Sequence, residues 1–319
     1  MTANSNESID MHAAICLVGP TGIGKTAVAL AIAKKIAVEI ISADSRQIYK
    51  YLDIGTAKPS RQQLQSVTHH FIDILEPQQP YNAGEFGREA RKTAEQIIKK
   101  KKVPLIAGGA GFYIQAFVDG LSEIDIATES AREQLRERWE AGESAAIYEE
   151  LRTVDPQMAA RLKKNDKQRI IRAMEVFLAA KRRLSDLQKS EPQPAGFAIL
   201  MVGLRAEREI LYHRINARVD EMLTKGLVSE VEGLARMGYD RELNALNSVG
   251  YKEVFDFLEN KLSYDEMVRE IKKNSRRYAK RQLTWFRRDS RIHWLDICRY
   301  ASAEEAAEDI LALFAGKKD

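Results

Sequence analysis

The sharpest chemical feature of the chain is GPTGIGKT, residues 19–26. It satisfies G-x-x-x-x-G-K-[ST], the pattern of a phosphate-binding loop. Gly19, Gly22 and Gly24, with Pro20, Thr21 and Ile23 between them, let the backbone curl so that its N–H groups converge on phosphate oxygens. The helix that follows adds its positive end. Lys25 neutralises the terminal phosphates, and Thr26 offers a hydroxyl to Mg²⁺. Loops of this kind mark nucleotide-binding and ATP-binding proteins, yet a diphosphate on any organic group fits equally well. The apolar run VPLIAGG (103–109) ends in Gly108-Gly109, where a Walker-B strand places an Asp on Mg²⁺. That weakens a motor or switch ATPase and leaves a transferase.

Asp44 closes a second apolar run, in SADSRQIY. Ligands of an open parallel sheet sit beyond the carboxyl ends of its strands, so Asp44 and the phosphate loop face one crevice. A carboxylate there could ligate metal or accept a proton from an incoming nucleophile; the plainer alternative is an Asp capping a local turn. Arg214 and Arg218 stand four apart in RINARVDEM. They could clamp a leaving pyrophosphate with guanidinium forks, or simply pair with Asp220 or Glu221.

Charge is spread unevenly. Residues 161–183 carry nine Lys/Arg against two acids and residues 269–291 carry ten against two, which leaves the rest of a +4 chain at −11. A basic run is commonly a solvated helix face, but two dense blocks in an otherwise acidic chain point to a polyanion such as nucleic acid. The second block interleaves Tyr278, Trp285 and Phe286 with its cations, which suits RNA, although Trp285 reads better as a core anchor.

The elements that must position these groups follow from the apolar pattern. Runs at 13–19, 38–44, 69–75, 103–109 and 197–204 read as strands, and TAVALAIAKKI and residues 84–102 as helices. Strands alternating with helices predict an α/β fold, a P-loop NTPase-like parallel sheet. Residues 121–195 are helical and charged. The expected organisation is therefore a first core part at 1–120, a helical insertion at 121–195 and a second, mostly helical core part at 196–319. The 319 residues are 45% apolar and 30% charged, as in a folded protein, and no apolar stretch approaches the ~20 residues of a membrane helix. Met1 to His12 reads as a polar tail, not a secretory signal. Cys16 and Cys298 are too few for a disulfide scaffold or a cysteine zinc site, and the five His lack metal-ligand spacing. A cytoplasmic monomer is expected.

Seven ordered segments resemble the tRNA dimethylallyltransferases, also called tRNA isopentenyltransferases. They are GPTGIGKT, SADSRQIY with DIGTAKP (53–59), GGAGFY (108–113), DKQRIIRAMEVF (166–177), RINARVDEM (214–222), SVGYKE (248–253) and RRYAKRQLTWFRR (276–288). The resemblance spans about residues 13–295, and with too few Cys for the zinc finger often added outside bacteria, the chain looks like the bacterial form. It implies transfer of a dimethylallyl group from dimethylallyl diphosphate to N6 of adenosine 37, just 3′ of the tRNA anticodon. Thr21, Gly24, Lys25 and Thr26 would then hold the diphosphate with Mg²⁺. Asp44 matches the base, and Thr21 with Arg214 or Arg218 matches the groups steadying departing pyrophosphate. An ordinary Asp, with a pKa near ~4, suffices only because N6–H becomes acidic as the C–N bond forms. The target adenine must leave its stack, at a few kcal/mol. The resemblance puts Asp44, Ser45, Arg46 and Gln47 on tRNA, with Lys167, Gln168, Arg169, Ile170, Ile171 and Arg172 of the insertion, which would grip the anticodon stem. The cations Arg276, Lys280 and Arg281 join them. Ala110 stands where the family carries Thr, removing a hydroxyl that could contact the flipped nucleotide.

Two other classes share the phosphate loop. A small-molecule or nucleotide kinase could use Arg132, Arg136 and Arg138 as a lid, but leaves the basic blocks unexplained. An RNA-binding ATP switch lacks the Walker-B Asp and gives Asp44 no role.

Overall fold

Unbroken apolar runs need cover on both faces, which a parallel sheet flanked by helices provides. The computed structural model describes residues 12–121, 129–188 and 193–316; the polar tail at 1–11 and part of the loop at 191–196 lie outside them. The described residues form two compact units, one from the chain up to Val118 together with Ala195 onward, the other Asp119–Pro194.

In the first unit the elements run β1 (Ala13–Val18), α1 (Lys25–Ala33), β2 (Val38–Ala43), α2 (Arg61–Ser66), β3 (His69–His70), α3 (Ala83–Lys99), β4 (Val103–Gly108) and α4 (Gly111–Val118). In the second unit come α5 (Glu129–Glu140), α6 (Ser144–Val154), α7 (Pro156–Arg161), α8 (Lys167–Ala180) and α9 (Leu184–Leu187). The chain returns through β5 (Ala198–Arg205), α10 (Arg208–Thr224), α11 (Leu227–Arg236), α12 (Tyr251–Leu258), α13 (Tyr264–Phe286), β6 (His293–Asp296) and α14 (Ala303–Phe314).

The six strands stand in the order β3-β2-β4-β1-β5-β6, and every pairing is parallel. The α/β parallel sheet is the one expected. Ile15 and Leu17 of β1 face a core shared with Val28 and Ile32 of α1, Leu211 and Ile215 of α10 and Ile310 of α14. Cys16 is buried, and burial pushes its thiol up to about 12. The second unit has its own core around Leu135, Ile147, Leu151, Ile170 and Met174.

Two strand expectations need correction. Within the sheet the run 69–75 pairs at His69 and His70, with Ile40 and Ile41, and its far end, Leu75, makes an isolated parallel bridge to Tyr49. Phe71 (φ 63°) and Asp73 (φ 55°) are left-handed, and the N–H groups of Asp73 and Ile74 donate to Gln47 and Ile48. The chain is drawn off the sheet toward the segment that follows Asp44. The second correction is β6, a four-residue edge strand on Val202–Arg205 within a stretch read as helical.

Candidate active site

The phosphate loop sits between β1 and α1. Gly24, at φ 107°, turns the chain into the helix that starts at Lys25, a conformation costly for any side chain. The Lys25 ammonium donates to the carbonyls of Gly19 and Pro20, both at 2.9 Å. Its pKa is pushed down to about 7, first by burial and then by the neighbouring Arg218 guanidinium, with Asp44 acting the other way. Thr26 is exposed in the first turn of α1. Among the described residues no group of three or more His, Cys, Asp or Glu could hold a metal ion. A Mg²⁺ here would therefore depend on the Thr26 hydroxyl and on oxygens brought by the diphosphate, a donor set that Mg²⁺ accepts. Ile23 is fully buried and Pro20 has no N–H, so Ile23 offers the site only backbone and Pro20 only its carbonyl.

Asp44 follows β2 directly. Its Oδ1 accepts the N–H groups of Arg46 (2.9 Å) and Gln47 (3.3 Å). The turn-capping alternative is thus true of one oxygen; Oδ2 has no hydrogen-bond partner among the described residues. Gln47 ties neighbouring segments together, accepting from Ser42 Oγ at 3.1 Å and donating to the carbonyls of Thr56 and Ala57 at 3.2 and 3.3 Å. The Ser45 carbonyl accepts from Arg46 Nη1 at 3.5 Å.

Helix α10 packs Ile215 against Gly22. Arg214 Nη1 lies 3.4 Å from the Ile23 carbonyl, and Arg218 Nη2 lies 3.5 Å from that of Thr56. Burial lowers the Arg218 pKa, opposed by Asp44 and Glu221. The acids considered as partners for this pair are taken by lysines instead: Asp220 by Lys272 and Glu221 by Lys225, each at 2.6 Å. Arg214 thus reaches the phosphate loop, and Arg218 the Thr56 carbonyl, within the field of Asp44 and Glu221.

Sequence reasoning missed Gln282 and Glu230 at this site and read Tyr278 only as an aromatic among the cations of the second basic block. Buried Gln282 of α13 accepts the Thr21 N–H at 2.9 Å and donates to the Gly109 carbonyl at 2.9 Å. Glu230 of α11 accepts the N–H groups of Asp53 (3.0 Å), Ile54 (2.7 Å) and Gly55 (3.1 Å), and the Tyr251 hydroxyl at 2.7 Å. Tyr278 has its pKa pushed up to about 12, by burial first and Asp44 second. Tyr251, Tyr278 and Gln282 stand inside segments that carried the family resemblance, but side-chain roles 261 residues apart leave no local signal. Ala110 is half-buried, and its N–H donates to the Ala43 carbonyl at 3.2 Å, tying the ends of β4 and β2.

The residues expected on RNA divide by exposure. In α8, capped by Asp166, Gln168 and Arg169 are exposed, and Lys167 pairs with Glu140. Arg172 binds Glu175 at 2.6 Å. Ile170 and Ile171 require correction: at 0% and 5% exposure they belong to the core of their unit and hold α8 in place instead of meeting RNA. Two of the arginines considered as a kinase lid are engaged within that unit, Arg132 by Glu175 and Arg138 by Glu143 and Glu150. On α13, Lys280 and Arg281 are exposed, Arg281 lies 5.7 Å over the Tyr278 ring, and Arg276 donates to Asn216 at 2.6 Å. Trp285 is half-buried against Phe112, with ring centroids 6.1 Å apart, closer to the anchor than to a free stacking surface.

Comparison with known proteins gives one consistent answer. Residues 47–289 match the family model described as IPP transferase, beginning three residues beyond Asp44. A tRNA dimethylallyltransferase of Geobacillus thermodenitrificans is 41% identical over 304 residues, 95% of this chain and 96% of that protein. One from Thermotoga maritima is 44% identical over 279 residues, covering 88% and 90%. The crystal structure of a tRNA isopentenylpyrophosphate transferase from Staphylococcus epidermidis superposes with TM-score 0.70 at 35% identity, covering 95% of this chain and 99% of that one. A eukaryotic dimethylallyltransferase acting on tRNA superposes with TM-score 0.79 at 25% identity, covering 96% and 80%. With the family model matching most of the chain and relatives aligned nearly end to end, this chain belongs to the IPP transferase family, the tRNA dimethylallyltransferases.

Proposed function

We propose that the chain transfers a dimethylallyl group from dimethylallyl diphosphate to N6 of adenosine 37 in tRNA and releases pyrophosphate. The observation that carries this reading is the grouping of Asp44 with Lys25 and Arg218 at the phosphate loop, with Asp44 Oδ2 left without a partner among the described residues. In the reaction the bond between the allylic C1 and its diphosphate oxygen breaks, and the electron pair leaves with pyrophosphate. The N6 lone pair forms the new bond to C1, and the N6 proton passes to Asp44 Oδ2. An amino group conjugated to adenine is a weak nucleophile, so the proton must leave as the bond forms. Oδ1, fixed by two backbone N–H groups, holds the carboxylate in one orientation for that transfer.

Lys25, Thr21 and the pair Arg214 and Arg218 take up the charge that develops on pyrophosphate. Mg²⁺, held by the Thr26 hydroxyl and by oxygens of the donor, would draw further charge from the leaving group. Lys167, Gln168, Arg169, Arg172, Arg276, Lys280 and Arg281 supply cations and donors for the phosphates of the anticodon stem-loop, and Asp44–Gln47 meets the flipped nucleotide. At the Ala110 position base recognition proceeds without a hydroxyl. No helix among the described residues is long and apolar enough to cross a membrane, and a tRNA substrate fits a cytoplasmic enzyme, which we read as a monomer.

The direct test is Asp44→Asn, which keeps size and removes the base. Affinities for dimethylallyl diphosphate and tRNA should stay within about twofold, while turnover falls by roughly 10²–10⁴-fold. Turnover equal to that of the unsubstituted chain would remove Asp44 from the chemistry.

A further inference from the structure

Helix α13 reaches the phosphate loop through the side chain of Gln282. That residue is 7% exposed, so each of its polar atoms must find a partner inside the protein. Its Oε1 accepts the N–H of Thr21, within the phosphate loop, and its Nε2 donates to the carbonyl of Gly109, just beyond β4. The two bonds, both 2.9 Å, lock the amide in a single orientation, because exchanging oxygen and nitrogen would set donor against donor and acceptor against acceptor. The fit leaves no slack: a Cβ on Gly109 would stand 2.2 Å from Nε2.

The consequence for the loop is specific. Thr21 spends its backbone N–H on α13, so that N–H is withheld from any phosphate, and the residue cannot rotate to offer it. With its backbone fixed, the Thr21 hydroxyl has a fixed origin. Helix α13 is itself tied to α10, the helix of Arg214 and Arg218, by the 2.6 Å bond from Arg276 to Asn216. One turn before Gln282 stands Tyr278, whose hydroxyl pKa is raised first by burial and then by the charge of Asp44. The loop, the Gly109 segment and the helix carrying the pyrophosphate arginines are therefore held in register by α13, with Gln282 as its hydrogen-bonded link to the loop.

We propose that Gln282 is a positioning residue of the transfer reaction: by bridging the Thr21 N–H and the Gly109 carbonyl it sets the phosphate loop in the shape that binds and stabilises the departing pyrophosphate. It touches neither substrate and acts through Thr21. The inference rests on the reading of the loop as the pyrophosphate site. A sterically similar apolar side chain should therefore leave α13 packed and the loop misaligned.

The test compares the full chain with Gln282→Met and Gln282→Glu. Met keeps volume and removes both bonds; Glu keeps an acceptor for Thr21 and loses the donor to Gly109. Ile271→Val, a fully buried position two turns and more away on the same helix, serves as the control for general loss of stability. Pyrophosphate affinity in the presence of Mg²⁺ is measured by calorimetry, tRNA affinity by filter retention, and transfer under single turnover. Gln282→Met is expected to weaken pyrophosphate at least tenfold and slow transfer by a larger factor, with tRNA affinity within twofold. Gln282→Glu should fall at least as far, since its carboxylate faces the Gly109 carbonyl. The Ile271→Val control should lower the melting temperature and leave pyrophosphate affinity unchanged. Unchanged pyrophosphate affinity and transfer in both Gln282 variants would overturn the proposal, as would losses in the control equal to theirs. If the unsubstituted chain bound pyrophosphate but transferred no prenyl group, the function reading would fail while the binding comparison still decided the role of Gln282.

Discussion

A lysine in a phosphate loop is useful only while charged, and Lys25 sits low, at about 7, because burial and the Arg218 guanidinium both oppose its proton. Below that pH the loop already carries the proton and Lys25 adds no pH dependence to pyrophosphate affinity. Above it, binding must take up a proton, since the anion favours the ammonium, and affinity should fall by up to about tenfold per pH unit until the pKa of the complex is reached. Calorimetry at pH 8.5 in two buffers of different ionisation heat reads the uptake directly. Lys25→Arg, which stays charged, should take up about one proton fewer; equal uptake in the two proteins would contradict the assignment. The two arginines should also separate. Arg218 is half-buried and in the electrostatic field of both Lys25 and Asp44, whereas Arg214 is exposed and makes a long 3.4 Å contact. Arg218→Ala should slow transfer by roughly 10²-fold and Arg214→Ala by less than about tenfold; the reverse order in single-turnover rates would reassign the pyrophosphate contact. At this scale the sequence was informative where chemistry is local. The phosphate loop and Asp44 each lie within eight contiguous residues, whereas Glu230 and Gln282 act on backbone 173 and more residues away, and no spacing rule records such pairs.

The elements show why the site keeps its shape. The segment 53–55 lacks a ladder of its own and gives three successive N–H groups to the Glu230 carboxylate. Its neighbour Thr56 offers the carbonyl that receives Gln47 and Arg218. Glu230→Ala would leave those donors and the Tyr251 hydroxyl without their acceptor, so stability should fall by about 1–3 kcal/mol, and transfer should slow as the Thr56 carbonyl shifts. Urea unfolding with an unchanged slope and a lower midpoint, alongside single-turnover rates, checks both parts; an unchanged midpoint would deny the loop its anchor. At the other end of β2, burial alone would raise the Glu39 carboxyl, but bonds from His70, Lys102 and Lys100 bring it down to about 2. A folded pKa below the unfolded value of 4.5 contributes stability that is present above 4.5 and lost as pH falls through about 2. The stability gap between the unsubstituted chain and Glu39→Gln should therefore narrow from pH 5 to pH 2, and a pH-independent gap in urea unfolding would refute the linkage. Strands buried on both faces were readable as apolar runs at β1, β2, β4 and β5. β3 was overextended because FIDIL carries an apolar pattern but turns away through left-handed Phe71 and Asp73. β6 was missed because four residues at a sheet edge, half of them exposed or polar, make too short a pattern.

For the whole molecule the uneven charge is the fact to explain. The cations on α13 and α8 do not serve one purpose, since Lys167 and Arg172 have acidic partners within their unit whereas Lys280 and Arg281 stand exposed. The exposed pair should therefore contribute directly to the electrostatic part of tRNA binding. Affinity should fall linearly on a logarithmic salt scale, and Lys280→Ala with Arg281→Ala should reduce that slope by about one for each phosphate no longer neutralised. An unchanged slope measured by filter retention would move the RNA-binding face elsewhere. The sequence told of a polyanion but could not tell paired cations from free ones, because pairing depends on which helices meet. The claim that joins all three scales is that this chain prenylates tRNA from a diphosphate donor without spending a nucleotide. The most direct test incubates the full chain with radiolabelled dimethylallyl diphosphate, Mg²⁺ and unmodified tRNA bearing adenosine at position 37, with ATP supplied in a separate reaction. Label should enter tRNA without ATP, and none should enter when position 37 is guanosine. No label in tRNA, with phosphate passing from ATP to a small acceptor, would contradict the claim.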